Sequence, residues 1–187
     1  VELAGDEETP VRAGETREIA VEARFLYGAP GAGLTVESRA RIEPDPSPFE
    51  AFGGFGFGRH DEQFREQVVE MPVRTTDGAG KAVARIEPGR RGSGSPRPLR
   101  LNTVVSVLEP GGRAVSESVR IPYRPRDLYL GIRPEFDGRV ARDAPARFEL
   151  AAVGADGASE AAELNWKLVE IDYHYDWYRE GERWRWR

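Results

Sequence analysis

The residues best equipped for chemistry are few. His60 in "RHDE" and His174 in "DYHYD" are the only histidines of 187 residues, and there is no cysteine. Strand alternation would place Asp172, His174 and Asp176 on one face, which could hold a weak surface metal contact. Metal sites, however, prefer a second nitrogen or several carboxylates converging from separate elements. The pattern reads better as a solvated polar face, and no metal is expected. Ser106 or Ser116 could be combined with a histidine and an aspartate on paper, but neither serine sits in a nucleophile elbow. The missing cysteine excludes disulfides, thiolate metal sites, thiol nucleophiles and iron–sulfur clusters. No enzyme signature emerges, and no cofactor is expected.

Two glycine clusters imitate phosphate loops. In "FGGFGFGRHDE", Gly53, Gly54, Gly56 and Gly58 lack the third spacing of a dinucleotide fingerprint, and no helix pattern follows. These glycines read instead as room for Phe55 and Phe57 beside closely packed backbone, with Gly58 shaping a turn. In "TTDGAGKAV", Thr75 stands where the first Walker glycine belongs and Ala82 where a magnesium-binding hydroxyl belongs. A loop centred on Asp77-Gly78 is expected there.

The ending "IDYHYDWYREGERWRWR" alternates aromatic and charged residues. Tyr173, Tyr175 and Trp177 would share one strand face, Trp184 and Trp186 a face of the next, with Gly181 in a short hairpin turn. Aromatic platforms bind sugars and single-stranded nucleic acids. Cross-strand aromatic pairs also stabilise ordinary antiparallel sheets, by roughly 0.2–1 kcal/mol each. Arg183 and Arg185 are balanced by Glu180 and Glu182, so no basic groove forms. A binding surface of Tyr175, Trp177, Trp184 and Trp186 stays open beside the structural reading.

Bulk composition narrows the field. A net charge of -5 and a pI near 5.3 give no overall basic field for nucleic acid or anionic membrane. No apolar run approaches the roughly 20 residues that span a bilayer, so membrane insertion is not expected. The opening "VELAGDEETPVRAGE" does not read as a signal peptide.

The elements around these residues follow period two, without a long helical stripe. "ETREIAVEARFLYG", "LTVESRARI", "KAVARIEP", "LRLNTVVSVLEPGG" and "RAVSESVRIP" are alternating runs ended by Pro or Gly, as in an antiparallel sandwich. Gly28 and Pro30 should shape the turn after the first run. "EPGRRGSGSPRP" reads as a mobile polar loop with solvated arginines. Pro122 and Pro125 bracket a short extended boundary, since proline fixes φ and biases the residue before it. Tyr123 to Asp127 should then set an interdomain angle. After it, about four strands follow, with turns at "FDGR" and "GADGA". The division expected is residues 1–124 and 125–187, the second unit incomplete beside the seven or so strands of a full sandwich. Phe136, Phe148, Leu164 and Trp166 should form its core. An incomplete sheet exposes edges, so self-association through them is expected.

Several stretches together resemble one family, the bacterial alpha-2-macroglobulins. "FLYGAPGAGLTVE" is similar to a strand–turn–strand of their macroglobulin domains, "FGFGRHDE" to the aromatic segment after it, and "LEPGGRAVSESVRIP" to the closing hairpin. "LYLGIRPEFDGRVARDAPARFELAAVGADG" and "LNWKLVEIDYHYDWYREGERWRW" resemble the following domain. The resemblance implies consecutive all-β macroglobulin sandwiches of the immunoglobulin and fibronectin-III type. It further implies a scaffold portion of an envelope or periplasmic protease trap, whose partners are the other domains of its own chain and, through the whole protein, proteases. In the family, cleavage of a bait segment releases a thioester built from Cys-Gly-Glu-Gln. With no cysteine here, that residue maps to no position of this chain. Two other readings are a carbohydrate- or peptidoglycan-binding sandwich module using the aromatic tail, and an adhesin-type stalk domain.

Overall fold

Alternation of apolar and polar residues builds the long strands of the computed structural model, which describes residues 1–59 and 61–170 and the backbone of 177–180 and 183–186. The strands are β1 (Glu2–Ala4), β2 (Val11–Arg12), β3 (Arg17–Glu22), β4 (Thr35–Pro44), β5 (Gly56–Phe57), β6 (Gln67–Glu70) and β7 (Arg74–Thr75). They continue with β8 (Lys81–Ile86), β9 (Leu99–Leu108), β10 (Ala114–Arg124), β11 (Leu128–Pro134), β12 (Phe148–Gly154), β13 (Trp177–Glu180) and β14 (Arg183–Trp186). Among the described residues one 3-10 turn, Glu50–Phe52, interrupts the strands.

Two sheets make the first sandwich. One runs β1-β3-β8; the other runs β2-β10-β9-β4-β6, with β7 also on β4. The inward residues of β4 and β9 show the period directly: Val36, Ala40 and Ile42 from one, Leu99, Leu101, Val105 and Val107 from the other, are all buried. They meet Ile19 and Val21 of β3 and Ala84 and Ile86 of β8 in one core. Burial of such β-branched and Leu side chains contributes about 1.5–3 kcal/mol each, which fixes register because a one-residue slip would turn all of them to solvent.

The second sheet, β12-β11-β5, differs from the expectation drawn from the sequence. Its third strand comes from the first half of the chain: Gly131 and Ile132 of β11 pair antiparallel with Phe57 and Gly56 of β5. The excursion between β4 and β6 therefore leaves the first sandwich, adds an edge strand to the second sheet, and returns. β13 and β14 pair with each other, Trp177 opposite Trp186 and Arg179 opposite Trp184.

Other expectations are also corrected. The core of the second unit is Phe49, Tyr129, Val153 and Ala155. Of the residues predicted for it, Trp166 is 81% and Phe148 47% exposed, because the face they would join carries no second layer among the described residues. Phe136 makes an edge contact with Phe148 instead, at 5.4 Å between centroids. The run from Glu163 to Glu170 forms no strand, and β3 stops at Glu22, leaving Phe25 stacked on Tyr27 and Leu26 in solvent. The "EPGRRGSGSPRP" loop is tied down by consecutive turns, Arg91 to Pro88, Ser93 to Arg90 and Ser95 to Gly92. The Tyr123 hydroxyl donates to the Arg91 carbonyl at 2.8 Å, clamping the loop to β10, while Arg90 and Arg91 stay exposed.

Candidate functional site

The residues at the joint are placed by opposite strand faces and one buried charge. β10 ends at Arg124, and only Pro125, Arg126 and Asp127 separate it from β11. Tyr123 is buried in the first core and Tyr129, six positions later, in the second. Arg124, on the other face of β10 from Tyr123, cannot join the first core and points towards the excursion after β4.

There the Arg124 guanidinium finds a nearly complete set of acceptors. Its Nη2 donates to Asp45 Oδ2 and to the Pro48 carbonyl, both at 2.7 Å. Its Nη1 donates to the Leu99 carbonyl. The guanidinium also lies 5.1 Å over the Phe49 ring. Arg124 is 1% exposed, so the planar fork is used where a flexible ammonium could not satisfy three acceptors and an aromatic face together. The other Asp45 oxygen accepts the Ser47 amide at 3.2 Å, and the Asp45 amide bonds the Pro98 carbonyl at 3.0 Å. The departure of the excursion from β4 is thus held at both ends of one carboxylate.

Aromatic packing continues from that point into the second sheet. Phe49 contacts Phe57 at 5.0 Å, Tyr129 at 5.8 Å and Phe52 at 6.5 Å between centroids, all tilted or edge-on. Gly131 makes room: a Cβ there would lie 2.8 Å from the Phe57 ring and 3.3 Å from that of Phe55. Arg133 stacks 4.7 Å from the Phe55 centroid, donates to the Gly53 carbonyl at 3.2 Å, and pairs with Glu149. On the near side, Arg12 pairs with Asp127, and the Ala155 amide donates to the Asp127 carbonyl at 3.1 Å. The Tyr129 hydroxyl accepts the Arg126 amide at 3.1 Å. Burial pushes the Tyr129 phenol up, and does the same to Tyr123, so both stay neutral and can act as hydrogen-bonding groups.

The residues singled out from the sequence fall in three places. Pro122, Tyr123 and Pro125 lie at the joint; at Pro122, β10 has β9 alone as neighbour, because β2 covers only Tyr123 and Arg124. Gly58 lies at the far end of the excursion, at φ +80°, where a Cβ would come within 2.4 Å of Arg97 Cγ. Arg97 in turn donates to the Arg59 and Glu62 carbonyls at 2.7 and 3.1 Å. Gly28 and Pro30 sit apart, in a turn closed by the Gly28 amide on the Phe25 carbonyl, with Pro30 bridging Arg24. Trp177, Trp184 and Trp186 are in the β13–β14 hairpin, whereas Tyr175, Gly181 and both histidines lie outside the described residues. Ser106 and Ser116 hydrogen-bond each other across β9 and β10 at 2.8 Å. Among the described residues no cluster of three or more metal-ligating side chains occurs, and no helix is long and apolar enough to cross a membrane.

The sequence reading had Arg124 only as part of the Tyr123–Asp127 boundary, and missed its burial, its partner Asp45, Phe49 and the pairing of β5. "RIPYRPRD" presents Arg124 as one basic residue among three, and its acid partner is 79 positions away. Only the excess of Phe and Gly in "FEAFGGFGFG" hinted that this segment packs against something.

Two all-β units linked by the β5–β11 pairing and a buried polar joint are the architecture of consecutive macroglobulin-type β-sandwich domains. The chain belongs to the bacterial alpha-2-macroglobulin family: its MG5 domain matches residues 1–125 and macroglobulin domain 6 matches residues 131–187. Alpha-2-macroglobulin of Xylella fastidiosa strain Temecula1 is 32% identical over 172 residues, 89% of this chain and 10% of that protein. Salmonella alpha-2-macroglobulin reacted with methylamine aligns over 100% of this chain and 13% of its own, with a TM-score of 0.71 and 26% identity. The native conformation of the Escherichia coli protein aligns over 100% of this chain and 12% of its own, with a TM-score of 0.67 and 25% identity. The chain thus spans about a tenth of the length of the curated relatives it matches.

Proposed function

We propose that this chain is a non-catalytic scaffold portion of a bacterial alpha-2-macroglobulin, a protease-trapping inhibitor of the periplasm or cell envelope. Its task is mechanical. It holds two consecutive macroglobulin units, residues 1–124 and 125–187, at one geometry while other parts of the protein are cut and rearranged. The observation that carries this reading is the loan of β5 to the second sheet, with Arg124 buried where the excursion leaves the first sandwich. A flexible tether would need neither; inter-domain contacts left polar and open are the ordinary case. Here the β5–β11 strand pairing, the Arg12–Asp127 ion pair and an aromatic cluster cross the joint, while the buried Arg124–Asp45 pair anchors the root of the excursion, so force applied to one unit is delivered to the other.

The partners follow from that role: adjoining domains of the same polypeptide directly, and proteases only through the whole protein. The test is to incubate this chain with trypsin-like and elastase-like proteases beside the whole inhibitor. The whole inhibitor should retain protease and the isolated chain should not. Stoichiometric inhibition by the isolated chain, or a covalent adduct with it, would overturn the scaffold reading.

A further inference from the structure

Exposure alone would make the loop after β8 an easy place to cut this chain. Arg90 and Arg91 stand exposed in "EPGRRGSGSPRP", and trypsin-like proteases cleave after arginine. Cleavage needs more than an accessible side chain, however. A serine protease takes its substrate as an extended segment, and the carbonyl of the bond to be cut must enter the oxyanion hole. Both demands fall on main-chain groups.

In this loop those groups are already engaged. The Pro88 carbonyl accepts the Arg91 amide at 3.3 Å and Arg91 Nη1 at 3.2 Å, which folds that side chain back onto its own loop. The Gly89 carbonyl accepts the Gly14 amide at 2.7 Å. The Arg90 carbonyl accepts the Ser93 hydroxyl at 2.7 Å and the Ser93 amide at 3.3 Å. The Arg91 carbonyl accepts the Tyr123 hydroxyl at 2.8 Å, and the Gly92 carbonyl accepts the Ser95 amide at 3.0 Å. Every carbonyl from Pro88 to Gly92 is thus held within the molecule, including both that precede a cleavable bond.

Backbone shape adds to this. Residues 89–94 form a run of turns, and Gly92 has a φ of +74°, which no extended strand uses. Gly92 also lies against the core: a Cβ there would meet Leu99 Cδ1 at 2.5 Å and Tyr123 Cε1 at 3.8 Å. The loop cannot open into a strand without lifting Gly92 off Leu99 and releasing Tyr123.

We propose that this loop is a shielded dibasic site, in which the Tyr123 hydroxyl and Ser93 withhold the Arg91 and Arg90 carbonyls from a protease that reaches the exposed arginines. Tyr123 is the positioning residue. Its ring belongs to the first core, so the shield lasts as long as the sandwich does. Shielding follows from the loop's own bonds and stands whether or not the scaffold reading does. That reading is tested by inhibition, this one by where the chain is cut.

The test compares trypsin cleavage of the whole alpha-2-macroglobulin polypeptide that carries these residues with cleavage of a free peptide of residues 84–98, which has the same bonds and none of the clamps. New N-termini at Arg91 and Gly92, quantified by mass spectrometry, give the initial rate at each bond. The polypeptide should be cut there on the order of a hundred-fold more slowly than the peptide. Tyr123→Phe, which keeps the ring, should speed cleavage at Arg91–Gly92 by about ten-fold, the scale of one lost hydrogen bond. Ser93→Ala should speed cleavage at Arg90–Arg91 by about three-fold, and it decides the matter if Tyr123→Phe does not fold. Ile19→Val loosens the same core without touching the loop and should leave both rates unchanged. A parent cut as fast as the peptide overturns the shield. So does a Tyr123→Phe rate equal to the parent's or to that of Ile19→Val.

Discussion

Arg124 donates to Asp45 across 2.7 Å from a guanidinium almost wholly withdrawn from solvent. The two residues come from the end of β10 and from the chain just past β4, so one ion pair fastens both the exit from the first sandwich and the start of the loaned excursion. Removing one partner of a buried pair leaves the other charge uncompensated, at a cost of about 3–5 kcal/mol. Arg124→Met should therefore lower unfolding stability by that order in denaturant titrations. Asp45→Asn, which keeps an acceptor oxygen, should cost less. A loss for Arg124→Met no greater than that of an exposed arginine such as Arg139→Met would remove Arg124 from the centre of the joint.

Gly131 is the complementary test, because it acts through space alone. An added Cβ would lie 2.8 Å from the Phe57 ring, which must move and take β5 with it. Gly131→Ala should destabilise the chain by about 1–3 kcal/mol, the usual range for overpacking. It should also speed amide exchange at Phe57. Gly78→Ala meets nothing within 4 Å and is the matched control, expected to be close to neutral. Equal behaviour of the two variants would argue against close packing of β5 on β11.

The two ends of the pH scale report on different places. The Asp6 carboxylate accepts the Thr9 amide at 2.8 Å and the Glu8 amide at 3.1 Å, and faces Arg17 at 2.9 Å. These interactions, the Thr9 amide first, hold its pKa well below the ordinary 3.8. A lowered folded value means the contribution is complete above 3.8 and is lost as pH falls through the folded value. Asp6→Asn should then be less stable than the parent at neutral pH, with the gap closing in strong acid. A gap that persists unchanged in acid would separate Asp6 from the effect.

At the alkaline end, Tyr123 and Tyr129 are raised above the ordinary 10.0, chiefly by burial. Their contribution is complete below 10.0 and is lost as pH rises through the folded values. Phenolate absorbance should show these two titrating late, together with unfolding. Tyr129→Phe should remove one late phenol and soften the alkaline loss. Early titration of both would contradict their burial.

The aromatic hairpin can be separated from a ligand platform by calorimetry. Glycan titration should give no heat that disappears on Trp184→Ala while the fold is retained. A saturable signal with that dependence would instead make β13–β14 a sugar-binding surface.

Strands whose inward residues alternate over six or more positions could be read without coordinates: β3, β8 and β9 lie within the runs where the pattern puts them, and β4 and β10 start within theirs and continue two residues past the end, with β3 shorter than its run. Their register follows from their own burial. β5 could not be read, because a Gly-Phe pair has no period and its partner lies more than seventy positions on. Leu164 and Trp166 misled for a related reason: apolar alternation says that a face needs cover, not whether the cover is in place. The place of Arg124 at the boundary was legible but its burial carried no signal, since a buried guanidinium is recognised only by the acceptors around it.

The loan of β5 also bears on how such proteins can be taken apart and recombined. A cut at Pro125 falls between the two units but does not yield two transplantable cassettes. The downstream one would arrive without Phe49, Phe52 and Phe57, leaving Tyr129 and Val153 bare. The upstream one would carry an aromatic arm with nothing to grip. In inheritance, as in protein engineering, the two units form one exchangeable piece, and natural or designed chimaeras of this family should keep the arm and its acceptor from the same parent.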